Sequence, residues 1–347
     1  MPGTTPTAFA RVNVQAAQRA GVRPDQYAGL LGLAPEHLSD DRYRIPASSN
    51  VRLWELMTLH APWQDVASHM VQQSALGALG IWDYLVTQAA TPLEGLHDGA
   101  RFLATAADAG TETLEIRETG GRITISHVNA ADLTDHVASA IRAYSMALLA
   151  RRVSEASRRN VVPVGVVLAA KAPRSHGTLN RLYGTPAIEF AGPVNSITFR
   201  SDDLKAAQPH APGLSALLRR HAEQSLRESV PLGGWIDTFR ATLRGASDND
   251  VPSLSHVAHR MCLSGRTLQR RLEENGTTWS DELQTLRRGQ TLDLLTRTEM
   301  PFDAVARRAG FADVSGLRRA VQRWTGQSLS AVRRRDGASG PLVPSHH

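Results

Sequence analysis

The sequence predicts an α+β domain followed by an all-α domain in which a long helix joins two helix-turn-helix motifs. Three observations predict it. Apolar residues recur at helical spacing through the first hundred residues, then switch to alternation over Thr113–Val128, the period of a strand pair. No alternating pattern returns from Pro231 onward. Within that last third one block occurs twice, headed by Val257-Ala258 and again by Val305-Ala306. At 347 residues the chain is also too long for one ordinary core.

Helical spacing is clearest in Asn50–His60, through Val51, Leu53, Trp54 and Met57, and in Gly80–Ala90, through Ile81, Tyr84 and Leu85. Pro92 opens a further helix with Leu93, Leu96 and Phe102 on one side, since proline is pre-shaped for a first helical turn. Thr113–Glu118 and Arg122–Val128 then alternate, and Thr119-Gly120-Gly121 between them predicts a hairpin turn. A long helix is expected from Leu133 to about Arg158, strands over Val161–Lys171 and Ser196–Arg200, and a short helix over Thr178–Tyr183. Residues 1–205 therefore read as one α+β domain. Residues 206–230 read as a connection: a linker, Ala206–Gly213, with Pro209 and Pro212, then a polar helix, Leu214–Glu228. Residues 231–335 read as helices over Leu232–Arg244, Ser253–Met261, Gly265–Glu274, Ser280–Arg297, Phe302–Ala309 and Val314–Thr325. Breaks fall at Gly245, Gly276, Pro301 and Gly310, and residues 336–347 are expected to be disordered.

The repeat sharpens this picture. Val257–Leu263 aligns with Val305–Phe311, and a basic helix follows each block, Gly265–Leu272 and Val314–Val321. Small Ala258 and Ala306 let the second helix cross close to the first, while Leu263 and Phe311 plug the corner. Leu268 and Leu272, or Leu317 and Val321, lie one turn apart and face the core. The opposite faces carry Arg266, Gln269 and Arg270 in one helix and Ser315, Arg318 and Arg319 in the other; the second turn is one residue longer. A helix over Ser280–Arg297 spans roughly 25 Å at about 1.5 Å per residue. That length helps set two reading heads into successive major grooves about 34 Å apart.

Charge is distributed unevenly. Residues 230–335 hold 17 Arg against 11 acidic residues, a net of +6, whereas residues 1–229 hold 22 Arg and Lys against 21 acids. A basic domain beside a neutral one points to a polyanion partner. No apolar run reaches the roughly 20 residues of a membrane helix, and the N-terminus lacks a signal-peptide pattern. Cys262 is the single cysteine, which fits a reducing compartment, so a cytoplasmic location is expected.

These residues resemble the AraC/XylS family of regulators. The likeness covers Leu232–Arg333 and rests on Leu263-Ser264-Gly265-Arg266-Thr267-Leu268-Gln269-Arg270-Arg271-Leu272, then Leu286-Arg287-Arg288 through Leu294-Leu295. It continues with Val305-Ala306 and Ala309-Gly310-Phe311-Ala312-Asp313 and ends at Trp324-Thr325-Gly326-Gln327-Ser328. Leu272, Leu317 and Val321 stand where the family more often has phenylalanine, and Leu329 and Val332 replace a familiar Pro and Tyr. The first half resembles the effector-binding, dimerising half of a subgroup of that family. The matching pieces are Arg44-Ile45-Pro46, Gly77-Ala78-Leu79-Gly80, Pro92-Leu93-Glu94-Gly95-Leu96, Arg181-Leu182-Tyr183-Gly184 with Ile188-Glu189-Phe190, and Asn195-Ser196-Ile197-Thr198-Phe199 with Asp203-Leu204. The resemblance implies double-stranded DNA, a small-molecule effector and a second copy of the chain as partners, with RNA polymerase added if the protein activates; no membrane is implied.

Candidate DNA contacts are Ser264, Arg266, Gln269 and Arg270 in the first unit and Ser315, Arg318 and Arg319 in the second. Arg pairs bidentately with guanine and Gln with adenine, each good pair discriminating by about 1–3 kcal/mol. Arg287, Arg288, Arg307, Arg308 and Arg333–Arg335 read as phosphate contacts or plain surface. Cys262 reads as packed and inert, and the histidines lack metal-ligand spacing. With no Gly-x-Ser-x-Gly elbow and no Walker loop, no enzyme activity, cofactor or metal is expected. Trp54, Trp63 and Trp82 read as core anchors rather than pocket walls, and no ligand-binding residue is assigned. Two other readings are an architectural DNA binder without ligand control and a DNA-repair enzyme sharing the same unit. Alkyl-transfer repair needs a thiol outside the reading elements, where Cys262 does not lie.

Overall fold

The computed structural model describes residues 3–246, 252–261 and 263–337, with side chains through Arg333. Cys262 and residues 338–347 lie outside the described residues, and with them the readings placed there. The chain divides into two compact units, Met1–Thr238 and Phe239–His347.

The first unit begins with β1 (Thr4–Pro6), α1 (Thr7–Arg19), α2 (Pro35–Leu38), β2 (Tyr43–Pro46), α3 (Ala47–His60), α4 (Trp63–Gln73), α5 (Ile81–Thr87) and α6 (Pro92–Arg101). It continues with β3 (Glu112–Thr119), β4 (Arg122–Asn129), α7 (Asp135–Ala156), β5 (Gly165–Leu168), α8 (Gly177–Tyr183), β6 (Ile188–Phe190), β7 (Asn195–Arg200), α9 (Ser201–Lys205), α10 (Leu214–Glu228) and β8 (Val230–Pro231). One sheet has five strands in the order β3-β4-β7-β5-β6, antiparallel except for the β5–β6 pair. The other has three, β1-β2-β8, with β8 parallel to β2.

The hairpin turns where its glycines allow. Gly120 and Gly121 both take positive φ, +60° and +73°, and Thr119 pairs with Arg122 across them, the backbone that a two-residue hairpin turn needs. Helix α7 has no single apolar stripe, because it packs on the sheet through β4, β5 and β7 and on α3, α4 and α5 as well. Its Ala138, Ala140, Ala143 and Ala147 are buried, keeping it thin between those layers. The expected strand over Val161–Lys171 is only β5: Pro163 has no N–H to donate to a ladder, and the register with β7 begins at Gly165. Strands β1, β2, β6 and β8, of two to four residues, are too short for alternation to reveal.

Several motif residues of the first half have structural tasks. Gly95 sits where α6 crosses α5; a Cβ there would stand 2.0 Å from the Val86 carbonyl oxygen. Arg44 is buried at 3% exposure. Its guanidinium donates to the carbonyls of Thr4, Ala104 and Ala107 and to the Thr4 hydroxyl. Burial pulls its pKa down to about 10. Asp83 accepts from the backbone N–H groups of Gly77 and Leu79 at 2.8 and 3.0 Å, and its other oxygen takes the Nε–H of Arg152 at 2.7 Å. Both partners have fully buried side chains.

The segment 206–230 is not the free connection expected. Ala222 of α10 is buried in a cluster with Leu85 and Phe102, joined by Leu218 and Leu226, and Arg219 donates to both oxygens of Asp98 at 2.9 Å. β8 then pairs with β2, Val230 N–H to the Arg42 carbonyl and Leu232 N–H to the Arg44 carbonyl. The boundary consequently falls after Thr238, inside α11 (Trp235–Gly245).

The second unit is helical throughout its described residues: α12 (Leu254–Arg260), α13 (Gly265–Glu274), α14 (Trp279–Arg297), α15 (Phe302–Arg308), α16 (Val314–Thr325) and α17 (Leu329–Gly337) follow α11. Helix α17 runs through Gly337, so Asp336 and Gly337, expected in a disordered tail, are helical; the rest of that reading lies outside the described residues. Leu329 and Val332 bury its inner face beside Leu295, Leu317 and Val321.

Candidate nucleic-acid interface and ligand cavity

Helices α12 and α13 pack together, as do α15 and α16, and the two pairs are built alike. In the first, the Leu263 N–H donates to the Ala258 carbonyl at 2.9 Å; in the second, the Phe311 N–H donates to the Ala306 carbonyl at 2.8 Å. Ala258 and Ala306 are buried at 1% each, and Leu268, Leu272, Leu317 and Val321 completely. The positions where the family prefers phenylalanine are thus filled core sites. Ser264 caps α13 by accepting from the Thr267 N–H, and Asp313 caps α16 by accepting from the Gly316 N–H. The extra residue of the second turn is Ala312, between Phe311 and that cap. With it placed, Arg266, Gln269 and Arg270 correspond to Ser315, Arg318 and Arg319.

All seven candidate contacts are exposed. Ser264 is first of all a helix cap, its hydroxyl 2.8 Å from that of Thr267. Arg270 pairs with Glu274 at 3.1 Å, one turn on. Arg318 and Arg319 have no ion pair among the described residues, and the position matching Glu274 is Arg323, exposed like its neighbour Gln322. The two helices therefore differ in charge: α13 carries three Arg and two Glu, α16 three Arg and no acid. Gln322 and Arg323, which the same alignment also reaches, extend this face beyond the sequence-predicted contacts.

Two of the arginines read as phosphate contacts or plain surface also bind backbone carbonyls within the unit. Arg288 donates to the Trp324 carbonyl at the end of α16, where a cation suits the free carbonyls of a helix. Arg333 donates to the Met300 carbonyl at 2.6 Å and lies 4.2 Å from the Phe302 ring centre.

A third polar clamp joins α11 to α14. Arg240 donates to both oxygens of Glu282, at 2.9 and 2.8 Å, and the Thr277 hydroxyl adds a bond at 3.0 Å. The Arg240 hydrogen bonds hold the Glu282 carboxyl below its ordinary value, against the opposing pull of burial. A carboxylate depressed in the folded state stabilises above its unfolded pKa, and that contribution is lost as pH falls through the folded one. Glu282→Gln is expected to lower the urea midpoint of the second unit at about pH 7, with the gap from the parent chain closing below about pH 4. Tryptophan fluorescence during unfolding checks this; an equal gap at both pH values would remove the charge from the explanation.

The first unit carries a cavity of about 620 Å³, within the roughly 300–1,000 Å³ typical of small-molecule sites. Trp54, Trp82, Phe9, Tyr144 and Leu148 line it. Trp54 and Trp82 are core anchors, 1% and 3% exposed, and also walls of this cavity; Trp63 packs in the core. The polar end includes Glu112 and His127, whose Nε2 lies 2.9 Å from Oε2 of Glu112. Both stand in the inward phase of the hairpin, Glu112 with Leu114 and Ile116, His127 with Ile123 and Ile125. That was the available signal: a titratable residue in the apolar phase of each strand.

Comparison with known proteins agrees with this division. The family model described as the arabinose-binding domain of AraC transcription regulator, N-terminal, matches residues 21–207, more than half of the chain. A helix-turn-helix domain model matches residues 257–335. The ornithine utilization regulator of Pseudomonas aeruginosa is 32% identical over 148 residues, 42% of this chain and 43% of that protein. The HTH-type transcriptional regulator VqsM of the same organism is 30% identical over 104 residues, 30% of this chain and 32% of that protein. The chain thus spans less than half the length of these curated relatives. The crystal structure of the transcriptional regulator CdpR from Pseudomonas aeruginosa aligns with 81% of this chain and 90% of its own at 21% identity, with a TM-score of 0.41.

Proposed function

This chain belongs to the AraC family of transcription regulators, and we propose that it binds operator DNA through α13 and α16 under the control of a small molecule held in the first unit. The observation that carries the reading is the duplicated helix-turn-helix, with its shared turn bond and its two exposed polar faces. Helix α14, 19 residues long, is about 28 Å at about 1.5 Å per residue, close to the roughly 34 Å between successive major grooves. Arg266, Gln269, Arg270, Arg318 and Arg319 are the base-reading candidates; Ser264 and Ser315, at the helix starts, are suited to backbone phosphate. The cavity gives the first unit the task that an architectural binder would leave it without. Dimerisation through that unit, and contact with RNA polymerase if the protein activates, belong to the same reading and rest on the family alone.

Binding of the whole protein to its own upstream DNA, against a scrambled fragment across a salt series, tests the reading. Preference for the native fragment by roughly a thousandfold is expected of a specific regulator. Equal, steeply salt-dependent affinity for both fragments would reduce the interface to phosphate contacts.

A further inference from the structure

The chemistry of the cavity narrows what it holds, given the reading above that this is the effector site. Its apolar side is aromatic: Trp54 and Tyr144 lie with ring centroids 5.6 Å apart and tilted by 56°, and Trp82 completes that wall. Its charged lining is lopsided. Glu55, Asp108, Glu112 and Asp132 contribute carboxylates, whereas Arg52 is the single arginine and already pairs with Glu55 at 2.6 Å. Asp108 is engaged by the backbone N–H groups of Gly3 and Gly110, and Glu112 is engaged through one oxygen by His127, which leaves Asp132 and the other oxygen of Glu112 with capacity to spare.

His127 supplies an independent pointer. Its side chain is 1% exposed, lines the cavity, and has no hydrogen-bond partner at Nδ1 among the described residues. A neutral imidazole that donates its Nε2–H to Glu112 leaves Nδ1 as an acceptor. A buried acceptor without a donor costs stability. Carboxylates beside aromatic faces favour a cation, which both carboxylates and ring faces attract. A carboxylate ligand would meet like charge in a desolvated site. We propose that the cavity takes an organic cation, an amine or guanidine whose apolar body lies on Trp54, Trp82 and Tyr144 and whose charged head faces Glu112 and His127.

Matched probes test this on the full-length protein: tryptamine, tryptophol and indole-3-propionate share one body, and octylamine, octanol and octanoate another. Titrations follow tryptophan fluorescence and thermal unfolding at about pH 7.5, where the amines are cations and the acids anions. In at least one series the amine is expected to bind about tenfold more tightly than the alcohol, with the carboxylate weakest. Glu112→Gln should erase the amine's advantage over the alcohol. Asp132→Asn, at an exposed position, should reduce that advantage severalfold, so the inference remains testable if Glu112→Gln misfolds. Tighter binding of the carboxylates, or no advantage of the amine in either series, overturns the cation assignment. If the alcohols or carboxylates bind, the effector cavity stands without it. If none of the six binds, both the ligand class and the cavity reading fall, while operator binding reports separately on α13 and α16.

Discussion

Arg319→Ala is expected to weaken binding to the native upstream fragment by more than Arg270→Ala does, and the double variant is expected to lose the preference over scrambled DNA. The two arginines occupy equivalent places on equivalent helices, yet their surroundings differ. Arg270 has Glu274 one turn away at 3.1 Å, and that carboxylate must release it before the guanidinium can meet a base or phosphate. Arg319 has Arg323 in the matching place, so α16 presents an uncompensated cationic face. A good bidentate base contact discriminates by about 1–3 kcal/mol, or roughly five- to 150-fold, and Arg319→Ala is expected within that range. Arg270→Ala should fall at its lower edge. Glu274→Gln, by freeing Arg270, should tighten binding and steepen its salt dependence. Electrophoretic or fluorescence-anisotropy titrations with both fragments decide the matter. Equal losses from the two single variants would mean that the Glu274 pair dissolves at no cost and that the asymmetry has no consequence.

The second large effect lies in the core of the first unit. Arg152 and Asp83 are both fully buried, and Arg152 also donates to Glu155 and to the carbonyls of Ser74 and Ala75. Arg152→Met removes the cation and leaves Asp83 buried beside an apolar chain. Breaking such a pair from one side costs about 3–5 kcal/mol, a large part of the roughly 5–15 kcal/mol that holds a domain folded. The loss depends on pH in a definite direction. Burial already pushes the Asp83 carboxyl above its ordinary value even with Arg152 against it, and removing Arg152 pushes it further. A carboxyl whose folded pKa is raised burdens the folded state increasingly as pH climbs from the unfolded pKa through the folded one. The deficit of Arg152→Met should therefore be smaller at about pH 5 than at about pH 8. Asp83→Asn combined with Arg152→Met should recover part of it at the higher pH. Urea titrations of the three proteins at both pH values provide the check; a deficit independent of pH would point to lost packing alone. Because Asp83 also anchors Gly77 and Leu79, and Leu79 and Trp82 line the cavity, the same variant is expected to lose ligand-induced stabilisation.

Neighbours along the chain specify the features that were legible before the fold was known. The glycine pair at 120–121 and the alternation beside it specified the hairpin. The spacing of Leu268 and Leu272, and of Leu317 and Val321, specified which faces of α13 and α16 are buried. The repeat then specified which residues remain outside. Each of these depends on residues within a turn or two of one another, where backbone period and side-chain direction are coupled. Tertiary structure alone decided the rest. Val230 and Pro231 have no strand signature, and they pair because β2 offers them a free edge nearly 190 residues away in sequence. Arg288 and Arg333 look like any exposed arginine until Trp324 and Met300 present carbonyls to them. The cavity is lined by α3, α5, α7 and the end of a hairpin, so no single segment contains it. Periodicity reports which face of an element is buried. It does not report which distant element buries it, or whether the space between them is filled.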